Sequence, residues 1–230
     1  MLAFAVWAVL YGLSYSVSKL LFPTALPYIT PCYAVLLISW LGYRQRLRAF
    51  RLCLPVLRGW SGVLVMLLLL LLPAANLLSG GSFASGKTAV LMLGPVIVEE
   101  IFFRGVLLAE PGTAGIPFLA WMTEQPVFVK AIISSGLFAV CHAANVTGGE
   151  EWIKVVPQIT CAFCAGMLFA AVTFRTNSLI PAAAGHFLVN VTASESNVFS
   201  VLIAAGSVIC LAAGISLLRP AGHLREGNCS

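Results

Sequence analysis

Residues 98–105 read Val-Glu-Glu-Ile-Phe-Phe-Arg-Gly and place Glu99, Glu100 and Arg104 inside the otherwise apolar run 88–109. A carboxylate or guanidinium at the centre of a membrane helix costs about 2.5–3.5 kcal/mol on insertion scales. A sequence retains three such groups when they pair, face water or take part in chemistry. This stretch therefore indicates that the chain lies in a membrane, and it also indicates where its candidate site is.

Composition extends this reading to the whole chain. Of the 230 residues, 60% are hydrophobic and only 9% are charged, whereas soluble domains carry about 25% charged residues. Because one membrane-spanning helix needs about 20 apolar residues, the length favours an all-α, polytopic transmembrane bundle of about eight spans. We expect one integral membrane domain over residues 1–230, with spans at roughly 2–17, 25–43, 59–78, 88–109, 128–145, 157–174, 178–194 and 198–218.

Basic residues predict the orientation. With the N-terminus in the cytoplasm, nine of the thirteen Lys and Arg residues fall on inside loops and flanks and three on outside ones. This excess fits the positive-inside rule, so both termini are expected in the cytoplasm, most simply at the plasma membrane. No basic patch interleaved with aromatic residues is present, which argues against a nucleic-acid partner.

The helical phase separates the three ionisable residues. Glu100 and Arg104 are four residues apart, so they share one helix face and are expected to pair. Glu99 is rotated by about 100° and is expected to stay unpaired, as a general base requires. The alternative is a purely structural Glu–Arg pair that locks two helices, with Glu99 as its hydrogen-bonded neighbour.

Two further polar groups lie in other predicted spans. His142 lies near the outer end of the fifth, and His186 and Asn190 share one face of the seventh, four residues apart. A single histidine in an apolar helix is usually a satisfied core residue. Two of them, with an amide and a free glutamate, provide a base, a proton shuttle and donors for an oxyanion. The seventh span is short and polar, so it is expected in the middle of the bundle.

Metal and redox readings are weaker. Glu99, His142 and His186 form a conceivable zinc set, but the His-Glu-x-x-His motif of zinc proteases is absent, and a metal-free base accounts for the same groups. Cys161-x-x-Cys164 has no second cysteine pair or nearby histidine, so it is interpreted as packing. No cofactor is expected.

Three motifs in order carry a resemblance. Glu99-Glu100-x-x-x-Arg104, Phe138-x-x-x-His142 and His186-x-x-x-Asn190, with Arg175 to Pro181 before the third, resemble those of the CPBP family, which holds CAAX proteases and bacteriocin-processing (Abi) enzymes. The similarity covers about residues 88–192. It implies a water-accessible cavity within the bundle and a glutamic-type intramembrane endopeptidase.

The resemblance also implies roles for these residues. Glu99 would be the general base, His142 its partner in water activation, His186 and Asn190 the oxyanion ligands, and Glu100 with Arg104 a supporting pair, while Phe138 would serve packing. The expected partners are a membrane protein or peptide substrate and the lipid bilayer. The alternatives are an ion- or proton-coupled transporter and a non-catalytic scaffold or immunity protein.

Overall fold

The computed structural model describes residues 59–108, 117–147, 150–192 and 201–219, and the secondary structure of these ranges is helical, without strands. The helices are α1 (Gly59–Leu78), α2 (Gly86–Glu100), a π-helical segment (Ile101–Val106), α3 (Pro117–Glu124), α4 (Val127–Cys141), α5 (Ala144–Thr147), α6 (Trp152–Thr176), α7 (Ile180–Thr192) and α8 (Val201–Leu218).

Two described helices, α6 and α8, are long and apolar enough to cross a membrane, and Gly62–Leu78 of α1 and all of α4 are shorter apolar helices. The predicted spans 2–17 and 25–43 lie outside the described residues. The span predicted at 59–78 coincides with α1. The described part is therefore all-helical as predicted, and the full count of eight spans stays a prediction.

The connections differ from the prediction in two places. A short helix, α3, occupies part of the region expected to be a loop between the fourth and fifth spans. The fifth span ends early, because His142 N–H and Ala143 N–H donate to carbonyls three residues back, Ala139 and Val140, and tighten the last turn before α5.

Helix α6 is the central helix of the described part. It begins at Trp152, five residues before the predicted start at Pro157, and its residues from Ala162 to Thr173 are almost all buried. Residues of α6 contribute to all three hydrophobic clusters of the core. The helix thus forms the wall against which α4, α7 and α8 pack.

Helix α8 lies against α6 at very short range. A Cβ added to Gly214 would come within 2.8 Å of the Met167 carbonyl carbon, so only glycine allows this approach. Small residues serve the same purpose at helix interfaces in membranes, where close van der Waals packing holds helices together. The outer face of α8 exposes Val201 and Val208, which is consistent with contact to lipid.

Helix α7 packs against α1, α2 and α6, so the short polar helix is enclosed by three neighbours as predicted. Its C-terminal end is held by the last turn of α1 and by the connection from α1 to α2. Asn76 Nδ2 donates to the Val189 carbonyl and to Thr192 Oγ1, both at 3.3 Å, and Ala84 N–H donates to the Val191 carbonyl at 2.8 Å. This connection fixes the helix that carries His186 and Asn190.

Candidate active site

The motif residues come from four neighbouring parts of the chain. Glu99 and Glu100 are the last two residues of α2, and Arg104 lies in the π-helical segment that follows. His142 caps the C-terminal end of α4, and His186 and Asn190 lie on α7. Helix packing brings most of these side chains into one cluster.

Glu100 and Arg104 form the ion pair that their spacing predicts. Arg104 Nη1 donates to Glu100 Oε1 at 2.8 Å, and the two side chains are 0% and 1% exposed. The guanidinium also lies 4.3 Å from the ring centre of Phe138 and 5.5 Å from that of Phe169. Cation–π attraction of this kind stabilises a cation most when water is excluded.

The backbone that carries this pair is not an ordinary α-helix. Leu107 N–H donates to the carbonyl of Phe102, five residues back, at 3.1 Å, which is the bonding pattern of a π-helix. The carbonyl of Phe103 accepts a 2.6 Å hydrogen bond from Ser134 Oγ on α4. Residues 101–106 contain no proline, and their sequence gives no signal that predicts a π-helix. Single π turns inside α-helices frequently mark functional sites.

His186 links both glutamates. Its Nδ1 lies 2.9 Å from Glu100 Oε1, and its Nε2 lies 3.6 Å from Glu99 Oε2. Because an ionised carboxylate only accepts hydrogen bonds, Nδ1 carries the proton that is donated to Glu100. Nε2 is therefore the ring atom turned to Glu99, and Asn190 Nδ2 lies 3.3 Å from it.

The two neighbouring carboxylates have different surroundings. The Glu99 side chain is 31% exposed, whereas that of Glu100 is 1% exposed. Only Glu100 is within ion-pair distance of Arg104, as the helical phase predicts. The expectation that Glu99 has no charged neighbour needs correction, because a protonated His186 would stand 3.6 Å away.

His142 forms its hydrogen bond within its own helix and not with the acid cluster. Its Nδ1 donates to the carbonyl of Phe138 at 3.0 Å, which leaves Nε2 as the acceptor of the neutral ring. Among the described residues, its side chain makes no hydrogen bond or ion pair with Glu99. His142 instead packs against an aromatic ring that also contacts His186.

Phe138 is that ring. It meets His142 and His186 edge to face, with centroid distances of 5.0 and 5.2 Å, and it lies under the Arg104 guanidinium. The packing role expected for Phe138 is therefore correct, but the ring packs against three motif side chains rather than against lipid. Sequence spacing gave no sign of this central position.

Asn76 was not singled out from the sequence, although a polar residue in the apolar run of α1 is a usable signal. It is 8% exposed and holds the end of α7. Within the described ranges, no three His, Cys or Glu side chains converge into a group that could hold a metal ion.

Comparison with known proteins identifies the family. The model of the family described as "Type II CAAX prenyl endopeptidase Rce1-like" matches residues 59–192, which is more than half of the chain and contains all the motif residues. No curated protein and no solved structure matches the chain. With its apolar helices and this family match, the chain is an integral membrane protein that belongs to the Rce1-like family of CAAX protease-like hydrolases.

Proposed function

We propose that this chain is a glutamic-type intramembrane endopeptidase that hydrolyses a peptide bond in a membrane-associated protein or peptide. One observation carries the proposal. Two adjacent glutamates share one helix end, and Glu100 is buried and paired whereas Glu99 is accessible. An accessible, partly desolvated carboxylate next to a fixed polar cluster is what activation of a water molecule needs.

In the proposed reaction, Glu99 takes a proton from a water molecule while the water oxygen attacks the scissile carbonyl carbon. His142 supports this step from Nε2, which accepts a hydrogen bond from the same water, because Nδ1 is held by the Phe138 carbonyl. The protonated Glu99 then gives the proton to the leaving amine, and the carbon–nitrogen bond breaks.

The tetrahedral intermediate carries a negative oxygen that needs donors. Asn190 Nδ2 supplies one, and His186 supplies a second from Nε2 when both of its ring nitrogens carry protons. Glu100 accepts from Nδ1 and keeps this edge of the imidazole fixed. Arg104 in turn holds Glu100, so the pair positions His186 without touching the substrate.

The substrate class follows from the setting of the site. A cluster carried by apolar helices is reached by polypeptide segments that lie in or at the membrane, and the family description names CAAX prenyl endopeptidases. With the predicted orientation, the site would lie between the midplane and the outer face, which favours an exported peptide or a terminal sorting segment. Labelling, from outside, cysteines introduced between α5 and α6 at residues 148–151 tests this orientation.

The deciding experiment compares cells that contain the native chain with cells that contain the Glu99→Gln variant. We expect membrane and secreted peptides that lose a terminal segment only with the native chain. Glu150→Gln, at an exposed glutamate that pairs with Lys154 and not with any motif residue, is the matched control and should process normally. Retained processing by Glu99→Gln at normal abundance would refute the assigned base. A change in ion flux without any processing would favour the transporter.

A further inference from the structure

Arg104 uses only part of its hydrogen-bonding capacity. Nη1 binds Glu100, but the buried Nε and Nη2 atoms have no hydrogen-bond partner among the described residues, and neither does Ser135 Oγ on α4. Arg104 and Ser135 are both fully buried. Buried guanidinium donors are normally satisfied by protein atoms or by ordered water.

Gly166 on α6 lies beside both of these polar groups. A Cβ built on Gly166 would be 3.1 Å from Arg104 Nη2 and 3.1 Å from Ser135 Oγ. The two polar atoms therefore face the same small region beside the α6 backbone, and a side chain at position 166 would occupy it. An oxygen within 2.7–3.2 Å of both atoms satisfies normal hydrogen-bond distances.

We propose that a buried water molecule next to Gly166 joins Arg104 Nη2 to Ser135 Oγ, and that Ser135 acts through it as a positioning residue for the Glu100–Arg104 pair. The water oxygen accepts from Nη2, and one water hydrogen is donated to Ser135 Oγ. Internal waters typically bridge buried polar groups in this way. The effect of this water on catalysis rests on the proposed function, but its presence does not.

The first test uses the size and chemistry of residue 166. We expect Gly166→Ala to lower the melting temperature of the detergent-solubilised protein by about 2–4 °C, because the methyl group displaces the water without replacing its hydrogen bonds. Gly166→Ser should lower the melting temperature less than Gly166→Ala, although serine is larger, because the serine hydroxyl substitutes for the water oxygen. Simple crowding predicts that serine is at least as damaging as alanine, and that order would overturn the proposal.

Gly136 on α4 provides the matched control, because a Cβ there meets nothing within 4 Å. Gly136→Ala and Gly136→Ser report the intrinsic difference between the two residues at a helical position where the added side chain meets no neighbour. The quantity to compare is the Ala-to-Ser difference at position 166 against that at position 136. Equal differences at the two positions would remove the argument for a water-binding site.

The second test keeps the proposal falsifiable if the Gly166 variants do not accumulate. Ser135→Ala should lower the melting temperature more than Ser207→Ala, which removes a buried hydroxyl bonded within its own helix. In the active protein, Ser135→Ala should lower kcat while KM stays unchanged. An unchanged melting temperature and kcat would refute the role of Ser135.

Direct observation completes the test. A high-resolution experimental structure should show an isolated density peak in hydrogen-bond reach of both atoms. A protein side chain in that place, or a direct bond between Arg104 and Ser135, would overturn the proposal. If the density and the melting temperatures agree with a water but the chain cleaves no substrate, the proposed function fails while the water site stands.

Discussion

His186 Nδ1 and Glu100 Oε1 are joined by a 2.9 Å hydrogen bond that ties α7 to the end of α2. The same carboxylate oxygen accepts from Arg104 Nη1 at 2.8 Å. One oxygen thus fixes a cation and an imidazole from two different elements. Glu100 is committed to holding these groups, and this leaves Glu99 as the carboxylate that can meet water.

This division predicts opposite outcomes for the two glutamates. Glu99→Gln should reduce peptide-bond hydrolysis by about 10²–10⁴-fold, the range for loss of a general base, with little change in the unfolding midpoint. Purified protein, a cleavable peptide and a thermal melt provide the measurement. A variant that loses its fold together with its activity would contradict this assignment.

Glu100→Gln should act mainly on stability. Removing one partner leaves the Arg104 charge buried and unpaired, which costs about 3–5 kcal/mol in comparable pairs. Denaturation in a mild detergent measures the loss. Replacing both partners, as in Glu100→Gln with Arg104→Met, should restore part of the stability but not the activity, because His186 would remain without its carboxylate acceptor. Equal stability of the single and double variants would argue against a paired charge.

Phe138→Leu tests the ring that contacts both imidazoles. The substitution removes edge-to-face contacts with His142 and His186, each worth about 0.5–1.5 kcal/mol, and the cation–π contact with Arg104. We expect lower stability and lower kcat. Phe128→Leu, at an exposed position of the same helix, is the control and should change neither.

Gly81 tests how the α1–α2 turn holds α7. A Cβ at this position would come within 2.6 Å of the Thr192 carbonyl oxygen and 2.7 Å of that of Asn76, and both are backbone atoms. Gly81→Ala should therefore shift the end of α7, lowering kcat and the melting temperature together. Gly86→Ala, where a Cβ meets nothing within 4 Å, should be neutral.

Asn76→Ala tests the side-chain hydrogen bonds by which α1 holds the end of α7. It leaves the Val189 carbonyl and Thr192 Oγ1 without this donor, at a cost of about 1–3 kcal/mol for a buried group. Asn76→Asp should be as harmful, because a carboxylate cannot donate to the carbonyl. Hydrolysis and unfolding measured side by side will show whether α7 has moved. Wild-type activity and stability of both variants would refute the claim that Asn76 holds the end of α7.

Local patterns predicted the parts of the fold that depend on neighbouring residues. The bounds of α1 were correct, because a continuous apolar run ends at Ser79 and Gly80, where the chain turns with a φ of 89° at Gly80. The start of α6 was placed too late, because proline is favoured at the first position of a helix, whereas Pro157 lies inside this one.

The amino-acid sequence alone determined that the chain lies in lipid and that Glu100 faces Arg104, because composition and a four-residue spacing are local properties. Tertiary structure decided that His186, 86 residues beyond Glu100, divides its two nitrogens between Glu100 and Glu99. It also placed Phe138 in contact with both imidazoles and formed the π-helical segment that carries Arg104. Helical periodicity reports which face a residue occupies, but only the packing of α2, α4, α6 and α7 determines which faces meet.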